Sequence, residues 1–500
     1  MCGIAGIWGK RDEDLVRRMM GRLAHRGPDA EGVYLDAAGT LGHRRLSIMD
    51  PQRGGQPIYD EARERAVITN GEIYNYLRLR SQLSSRHSFR TRSDSEVPLH
   101  LYEELGQAVV RRLDGMFAFA IADGESLFLA RDPIGIKPLY YGQRDGVVVF
   151  ASELKALVGV AEEVHEFPPG NCFHSDTGFR PYYQVPDRVP RDMPLKMRLQ
   201  LLRETLDEAV QKRLMSDVPV GAFLSGGLDS SLIVALLRPY IHDLHTFSVG
   251  TEGSPDLEAA RTVARYFGTQ HHEYVFGPED VAEVLGEIIY HLESFDQDLV
   301  RSAIPCYFVS RLAAEHVKVV LTGEGADELF AGYEYYRGIR DWASLHQELR
   351  RSVSTLHNIN LQRVDRLTMA HSIEGRIPFL DLEMVQVAQT IPADLKLYTD
   401  ESGELWDKWI LRKAFEDLLP TEIVWRDKQQ FDEGSGTVQL LGGILDRWLE
   451  PEEAEQYRTA VPPDAGLRSR EECVYHKLLG EAYGESKAIF ANVARWSARD

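Results

Sequence analysis

Through the first 180 positions the apolar residues come in short bursts with frequent alternation. Ala66–Thr69, Met116–Ile121, Ser126–Ala130 and Gly146–Ala151 are brief, aromatic or β-branched segments of this kind, which predicts strands of layered sheets. Gly3–Trp8 predicts a strand starting almost at the terminus. The pattern then changes. Between Met197 and Leu214, the residues Leu201, Leu202, Leu206, Ala209, Val210 and Leu214 recur at helical spacing and predict an amphipathic helix. Three compact apolar runs follow, Val218–Leu224, Leu244–Gly250 and Val317–Thr322, and they read as buried strands separated by helical stretches such as Leu232–Leu237. Strands alternating with helices predict a parallel sheet built of βαβ units. Between the two regimes, Gln184–Leu195 is dominated by proline and charge, without periodicity, and predicts a linker. The expected domains are therefore residues 2–185 and 197–500, an α/β multidomain protein.

Composition narrows the classes of function. A chain of 500 residues with 43% hydrophobic content buries a large core, and a formal charge of −20 disfavours nucleic acid and membrane surfaces, which are themselves anionic. No apolar run is long enough for a membrane span and the N-terminus lacks a secretion-signal pattern, so a cytoplasmic enzyme is expected. Cys2, Cys172, Cys306 and Cys473 are scattered without CxxC spacing, so neither a disulfide framework nor a zinc site of that kind is expected.

Two stretches carry candidate chemistry. The first is Ser225-Gly226-Gly227-Leu228-Asp229-Ser230-Ser231, between a predicted strand and a predicted helix. Glycines let a backbone approach an anion, and the free N–H groups of a helix start point at it. The lysine of a Walker loop is missing. Asp229 is suited to holding Mg²⁺ against phosphates. The second is Cys2, directly after the initiator methionine. With Met1 removed, the α-amine can act as base for the thiol on the same residue; the plainer reading is a small buried residue in a first strand.

The loop resembles the pyrophosphate loop of the N-type ATP pyrophosphatases. Cys2, His25-Arg26-Gly27-Pro28-Asp29, Arg44-Arg45-Leu46-Ser47-Ile48, Asn70-Gly71-Glu72-Ile73-Tyr74-Asn75 and Ser93-Asp94-Ser95-Glu96 together resemble the glutaminase domain of class II, N-terminal-nucleophile glutamine amidotransferases. That resemblance implies a four-layered αββα sandwich. It also implies Cys2 as nucleophile, Arg45 for the α-carboxylate of glutamine, Glu72 and Asp94 for its α-ammonium, and Asn70 with the Gly71 N–H as oxyanion hole. Alone, Asn70-Gly71 would read as a hairpin turn. The Asp132-Pro-Ile-Gly135 segment reads as scaffold.

Gly323-Glu324-Gly325-Ala326-Asp327-Glu328, Arg363–Asp381 and Trp425–Phe431 extend the likeness to glutamine-dependent asparagine synthetases, over nearly the whole chain to about Thr437. It implies ATP contacts at Leu224, Ser225, Gly226, Gly227, Asp229, Ser230, Val249, Thr322 and Gly323, and Mg²⁺ on Asp229 and Asp327. Glu324 would sit at the acyl-adenylate and Lys428 would meet the negative charge there. The implied reaction joins aspartate to AMP, releases pyrophosphate and admits ammonia to the adenylate. Where the family's acceptor pocket has a threonine-rich stretch, this chain has Asp298-Leu299-Val300-Arg301-Ser302-Ala303. Arg301 could pair with an α-carboxylate and Asp298 with an α-ammonium, and amidation or cyclisation of a different carboxylate stays open. Adjacent His271 and His272 would face opposite ways on a strand, so no metal is expected there. The last sixty residues show only a weak helical pattern. A homodimer is compatible with this reading.

Overall fold

The computed structural model describes residues 2–144, 147–161, 163–188, 190, 192–339 and 341–496. Its first part contains β1 (Gly3–Trp8), β2 (Ala30–Leu35), β3 (Gly39–Arg45), β4 (Ile58–Tyr59), β5 (Arg65–Ile73), β6 (Gly115–Asp123), β7 (Ser126–Arg131), β8 (Tyr140–Arg144), β9 (Val147–Ala151), β10 (Glu163–Glu166), β11 (Asn171–His174) and β12 (Gly178–Pro181). The predicted strands fall within β1, β5, β6, β7 and β9; Gly146, expected in the last, lies outside the described residues. The strands make two antiparallel sheets, ordered β10-β8-β9-β1-β3-β2 and β12-β11-β7-β6-β5-β4.

Alternation along β6 shows why the sheets stack. Ala118, Ala120 and Ala122 point into the layer between the sheets, where they meet Ile4, Ile68 and Phe150, while Phe117, Phe119 and Ile121 point the other way. Small residues let the sheets approach, and the large ones fill the gap under α2 (Tyr76–Leu83) and α3 (Val97–Leu105). On the far side, α1 (Glu13–Arg22) lays Leu15, Val16, Met19 and Met20 on the first sheet. The layers run helix, sheet, sheet, helix.

The second part opens with α4 (Leu195–Lys212), which begins two residues before the predicted helix, directly after Pro194. Gln184 to Pro194 holds no helix or strand among the described residues; Val189 and Arg191 of the predicted linker lie outside them. Five strands, β13 (Val220–Phe223), β14 (His245–Gly250), β15 (Gln270–Val275), β16 (Val319–Leu321) and β17 (Glu374–Arg376), form a parallel sheet ordered β15-β14-β13-β16-β17. Helices α5 (Leu228–Leu237) and α6 (Pro255–Phe267) pack with α4 in one core, and α7 (Pro278–Leu292) and α8 (Gln297–Ala314) pack in the other. Strand order reverses between β13 and β16, and the crevice beyond the carboxyl ends of such neighbours is where ligands bind in open α/β sheets. The final residues form helices Pro451–Ala460 and Arg470–Tyr483, the latter packed on α7 and α8. Among the described residues, no helix is long and apolar enough to cross a membrane.

Candidate active sites

Cys2 stands at the head of β1, 8% exposed, and burial pushes its thiol up from the ordinary range. Its backbone nitrogen donates to Asn70 Oδ1 at 3.0 Å, and its Sγ lies 4.0 Å from the Leu46 carbonyl. The other end of the same amide, Asn70 Nδ2, is buried with no hydrogen-bond partner among the described residues. It is a donor waiting for an acceptor, which a buried group in a finished core would not be. Asn70 and Gly71 lie inside β5, paired with β6, so the hairpin-turn reading fails. Gly71 has φ +142°, and a Cβ there would come within 2.0 Å of the Met116 carbonyl. No other residue fits.

Arg45 ends β3, and its guanidinium donates to the carbonyls of Met49, Asp50 and Pro51 at 2.8–3.1 Å. Those bonds fix its position. Glu72 is buried with Oε2 unpartnered among the described residues, and burial, then the charges of Asp94 and Glu374, hold its carboxyl well above the usual carboxylate range. Asp94 accepts from the Ile73 N–H at 2.7 Å, yet burial still pushes it up to about 6. Arg45 and Glu72 lie near enough to act electrostatically on the Cys2 thiol, and Asp94 in turn acts on Glu72. Asp132 is the scaffold the sequence suggested: Oδ1 accepts the N–H groups of Ile134, Gly135 and Ile136, and Oδ2 accepts Lys137. Sequence reasoning missed Arg376 on β17, which reaches within 3.5 Å of Glu72 while paired to Glu374 at 2.6 Å. Arg376 stands within the Arg363–Asp381 stretch that carried the likeness, but its contact with Glu72, some 300 positions away in sequence, leaves no local signal.

The second site is a cavity of about 300 Å³ at the switch point of the parallel sheet. Leu224, Ser225, Gly227, Asp229 and Ser230 line it from the first loop, Val249 from the second, and Thr322, Gly323, Glu324 and Asp327 from the third. Gly226 does not line it. Its φ of +73°, and the 2.4 Å that would separate a Cβ from the Ala260 nitrogen, show that it lets α6 cross the loop closely. Ser225 and Ser230 hydroxyls hydrogen-bond each other at 3.1 Å and hold the turn. A Cβ on Gly323 would lie 2.8 Å from Asp229 Cβ, so the two acid-bearing loops touch through a glycine.

Asp229 and Asp327 share a cation already. Lys408 Nζ lies 2.5 Å from Asp229 and 2.6 Å from Asp327, and Lys428 Nζ lies 2.9 Å from Asp327 and 4.0 Å from Asp229. Burial alone would raise the Asp327 carboxyl, but the two ammonium groups hold it far below the usual range. Lys428 is raised in turn, burial being outweighed by Asp327 and Asp229. Glu324 is paired to Arg363, which comes from the helix Asn360–Ala370. Lys408 was not singled out in the sequence, and Arg363 entered only as the first residue of the Arg363–Asp381 stretch. Lys408 stands just ahead of a short helix and looks like an ordinary surface lysine, yet it is 1% exposed.

One expectation needs correcting. Asp298 lines the cavity, but Arg301 does not; its guanidinium forms a bidentate pair with Glu471 at 2.6 and 2.8 Å. The partner comes from the final sixty residues, which the sequence pattern left unassigned. Trp496 from that same segment lines the cavity too.

A four-layered sandwich with Cys2 at the head of its first strand and a parallel α/β crevice on one chain are the architecture of a glutamine amidotransferase joined to a synthetase, and the relatives of the chain bear that class out. A profile described as glutamine amidotransferase domain matches residues 1–171, and one described as asparagine synthase matches residues 201–341 and 337–498. Asparagine synthetase [glutamine-hydrolyzing] 2 of Arabidopsis thaliana is 43% identical over 87% of this chain and 79% of its own length. A probable asparagine synthetase [glutamine-hydrolyzing] of Dictyostelium discoideum is 38% identical over 99% of this chain and 96% of its own. The chain belongs to the glutamine-hydrolysing asparagine synthetase family.

Proposed function

We propose that this chain makes asparagine from aspartate, ATP and glutamine, through a glutaminase unit at residues 2–185 and a synthetase unit at 197–500. With Met1 removed, the Cys2 α-amine takes the thiol proton and the thiolate attacks the side-chain amide of glutamine. The oxyanion is met by Asn70 Nδ2 and the Gly71 N–H, ammonia leaves, and water hydrolyses the thioester to glutamate. Arg45 holds the substrate α-carboxylate, and Glu72 with Asp94 holds its α-ammonium.

In the second cavity the aspartate β-carboxylate attacks the α-phosphorus of ATP and displaces pyrophosphate. Lys428 and Lys408 stabilise the charge that develops on phosphorus and leaving group. Ammonia then attacks the adenylate carbonyl and AMP leaves, with Glu324 beside it. The donor set also suits Mg²⁺. Asp229 and Asp327 converge closely enough to share one ammonium, and Asp229 Oδ1 is a buried oxygen without a hydrogen-bond partner among the described residues. When bound, Mg²⁺ would neutralise pyrophosphate oxygens. Asp298 is the residue placed to meet the aspartate ammonium. Four free, buried cysteines fit a reducing cytoplasm.

The observation that carries the reading is Asn70, one end of its amide on the Cys2 nitrogen and the other end buried and unpartnered. The test is pyrophosphate release with ATP, Mg²⁺ and glutamine, with and without aspartate, and chromatography of the product. Aspartate-dependent release with stoichiometric asparagine is expected. Glutamine hydrolysis that continues while aspartate changes nothing would remove aspartate as acceptor.

A further inference from the structure

Away from both sites, two groups of three or more side chains could hold a metal ion among the described residues. In one, His272 and His316 stack at 3.9 Å, and His245 lies within 4° of the His272 plane with their nitrogens 3.0 Å apart. Stacked rings send their lone pairs side by side rather than to one point, so that group is a poor cage.

The other group is Glu61, His87, His100 and Glu103 on the glutaminase unit. Helix α3 sets His100 and Glu103 three residues apart on one face. His87 comes from the chain after α2, and Glu61 from the loop between β4 and β5. His100 Nδ1 lies 2.7 Å from Glu103 and 3.8 Å from Glu61, and His87 Nδ1 lies 3.5 Å from Glu103 and 3.8 Å from Glu61. A tetrahedral zinc ion with bonds of about 2.0–2.2 Å sets its ligand atoms about 3.3–3.6 Å apart, so small side-chain shifts bring all four into place.

The outward nitrogens each face a carboxylate of their own. His100 Nε2 faces a Glu96 oxygen at 3.4 Å, and His87 Nε2 faces a Glu104 oxygen at 3.2 Å. Without a metal, Nδ1 of His100 also donates, to Glu103 at 2.7 Å; once an ion takes that proton's place, the carboxylate behind each ring would hold the remaining proton on Nε2 and keep Nδ1 inward, the arrangement that orients metal-bound histidines. Glu61 is itself steadied by the Ser88 N–H at 2.6 Å. His100 is 1% exposed and His87 12%. Two imidazoles and two carboxylates suit zinc or a similar late first-row dication, and the ion would displace the proton His100 shares with Glu103.

We propose that Glu61, His87, His100 and Glu103 form a binding site for a zinc-class divalent cation, which ties the β4–β5 loop and the chain after α2 to α3. Glu96 also accepts the backbone N–H groups of Arg90 and Thr91. The clamp therefore steadies the segment that delivers Asp94 to the glutamine pocket.

The test uses the full-length protein, stripped with chelator and dialysed, then titrated calorimetrically with Zn²⁺ and optically with Co²⁺. Because His100 is in the core, the variants are the more exposed Glu61→Gln and His87→Asn, with His272→Asn as control. One equivalent is expected to bind wild type, to give tetrahedral Co²⁺ bands in the visible and to raise Tm. Affinity should fall in Glu61→Gln and His87→Asn by more than the roughly 10–100-fold that loss of an outer-shell partner alone costs, and stay unchanged in His272→Asn. No binding by wild type, or binding that survives both ligand variants or is lost only in His272→Asn, overturns the proposal.

Discussion

Both proposed sites are built around a pair of acids, buried in the first and half-buried in the second, and the pairs are treated in opposite ways. In the glutaminase pocket, Glu72 and Asp94 share the distant attention of Arg376, and their carboxyls sit above the usual range. In the synthetase cavity, Asp229 and Asp327 hold two lysines, and the Asp327 carboxyl sits far below it. The difference follows from what each site must receive. A pocket for a zwitterion needs acids left short of cations, so that the incoming ammonium completes them. A cradle for a polyanion needs its own cations present in advance, and acids to hold them in place.

Breaking that contrast should be easiest at the lysines. Lys428→Ala removes a cation from the cradle and should lower aspartate-dependent pyrophosphate release by about 10²–10³-fold, while glutamine hydrolysis without ATP changes little. Equal loss of both activities would place Lys428 outside the chemistry. Asn70→Ala should do the reverse. Glutaminase kcat/KM is expected to drop by about 10²-fold, and synthesis from added ammonia should persist.

Asp94 sharpens the comparison through pH. Its carboxyl, pushed up to about 6 by burial, is charged above that pH and neutral below it. If Asp94 has its proposed role, the partner of the glutamine ammonium is lost as pH falls through about 6, and KM for glutamine should climb there. Asp94→Asn should show a raised KM, by about 10-fold for one charge-assisted contact, and no longer climb on Asp94's account. A wild-type profile that is flat across pH 5–7 would contradict the assignment. The smallest effect expected is in Gly226→Ala. Gly226 does not itself line the cavity, but the collision with the α6 backbone forces the loop or the helix to shift and should lower Tm by a few degrees.

Much of this was legible in the chain itself. Strand alternation, βαβ rhythm and the acid-bearing loops follow from local sequence, because periodicity and turn chemistry are local properties. The cations were not. Lys408 meets Asp229 from 179 positions away, and Glu471 takes Arg301 from 170 away. Nothing near Arg301 in sequence warns that its fork is occupied, so a free arginine and a paired one read alike. The role of the last residues was hidden for the same reason. Trp496 reaches the cavity with its backbone N–H donated to Asp296, 200 positions away, at 3.0 Å and its ring edge-on to Tyr333.

The central claim is that Cys2 supplies ammonia to a separate synthetase site. Cys2→Ala, assayed for asparagine with glutamine and in parallel with ammonium chloride, tests it most directly. Glutamine-dependent synthesis should fall by about 10⁴-fold or more, with ammonia-dependent synthesis within about twofold of wild type. Glutamine-dependent synthesis that survives the substitution would contradict the account.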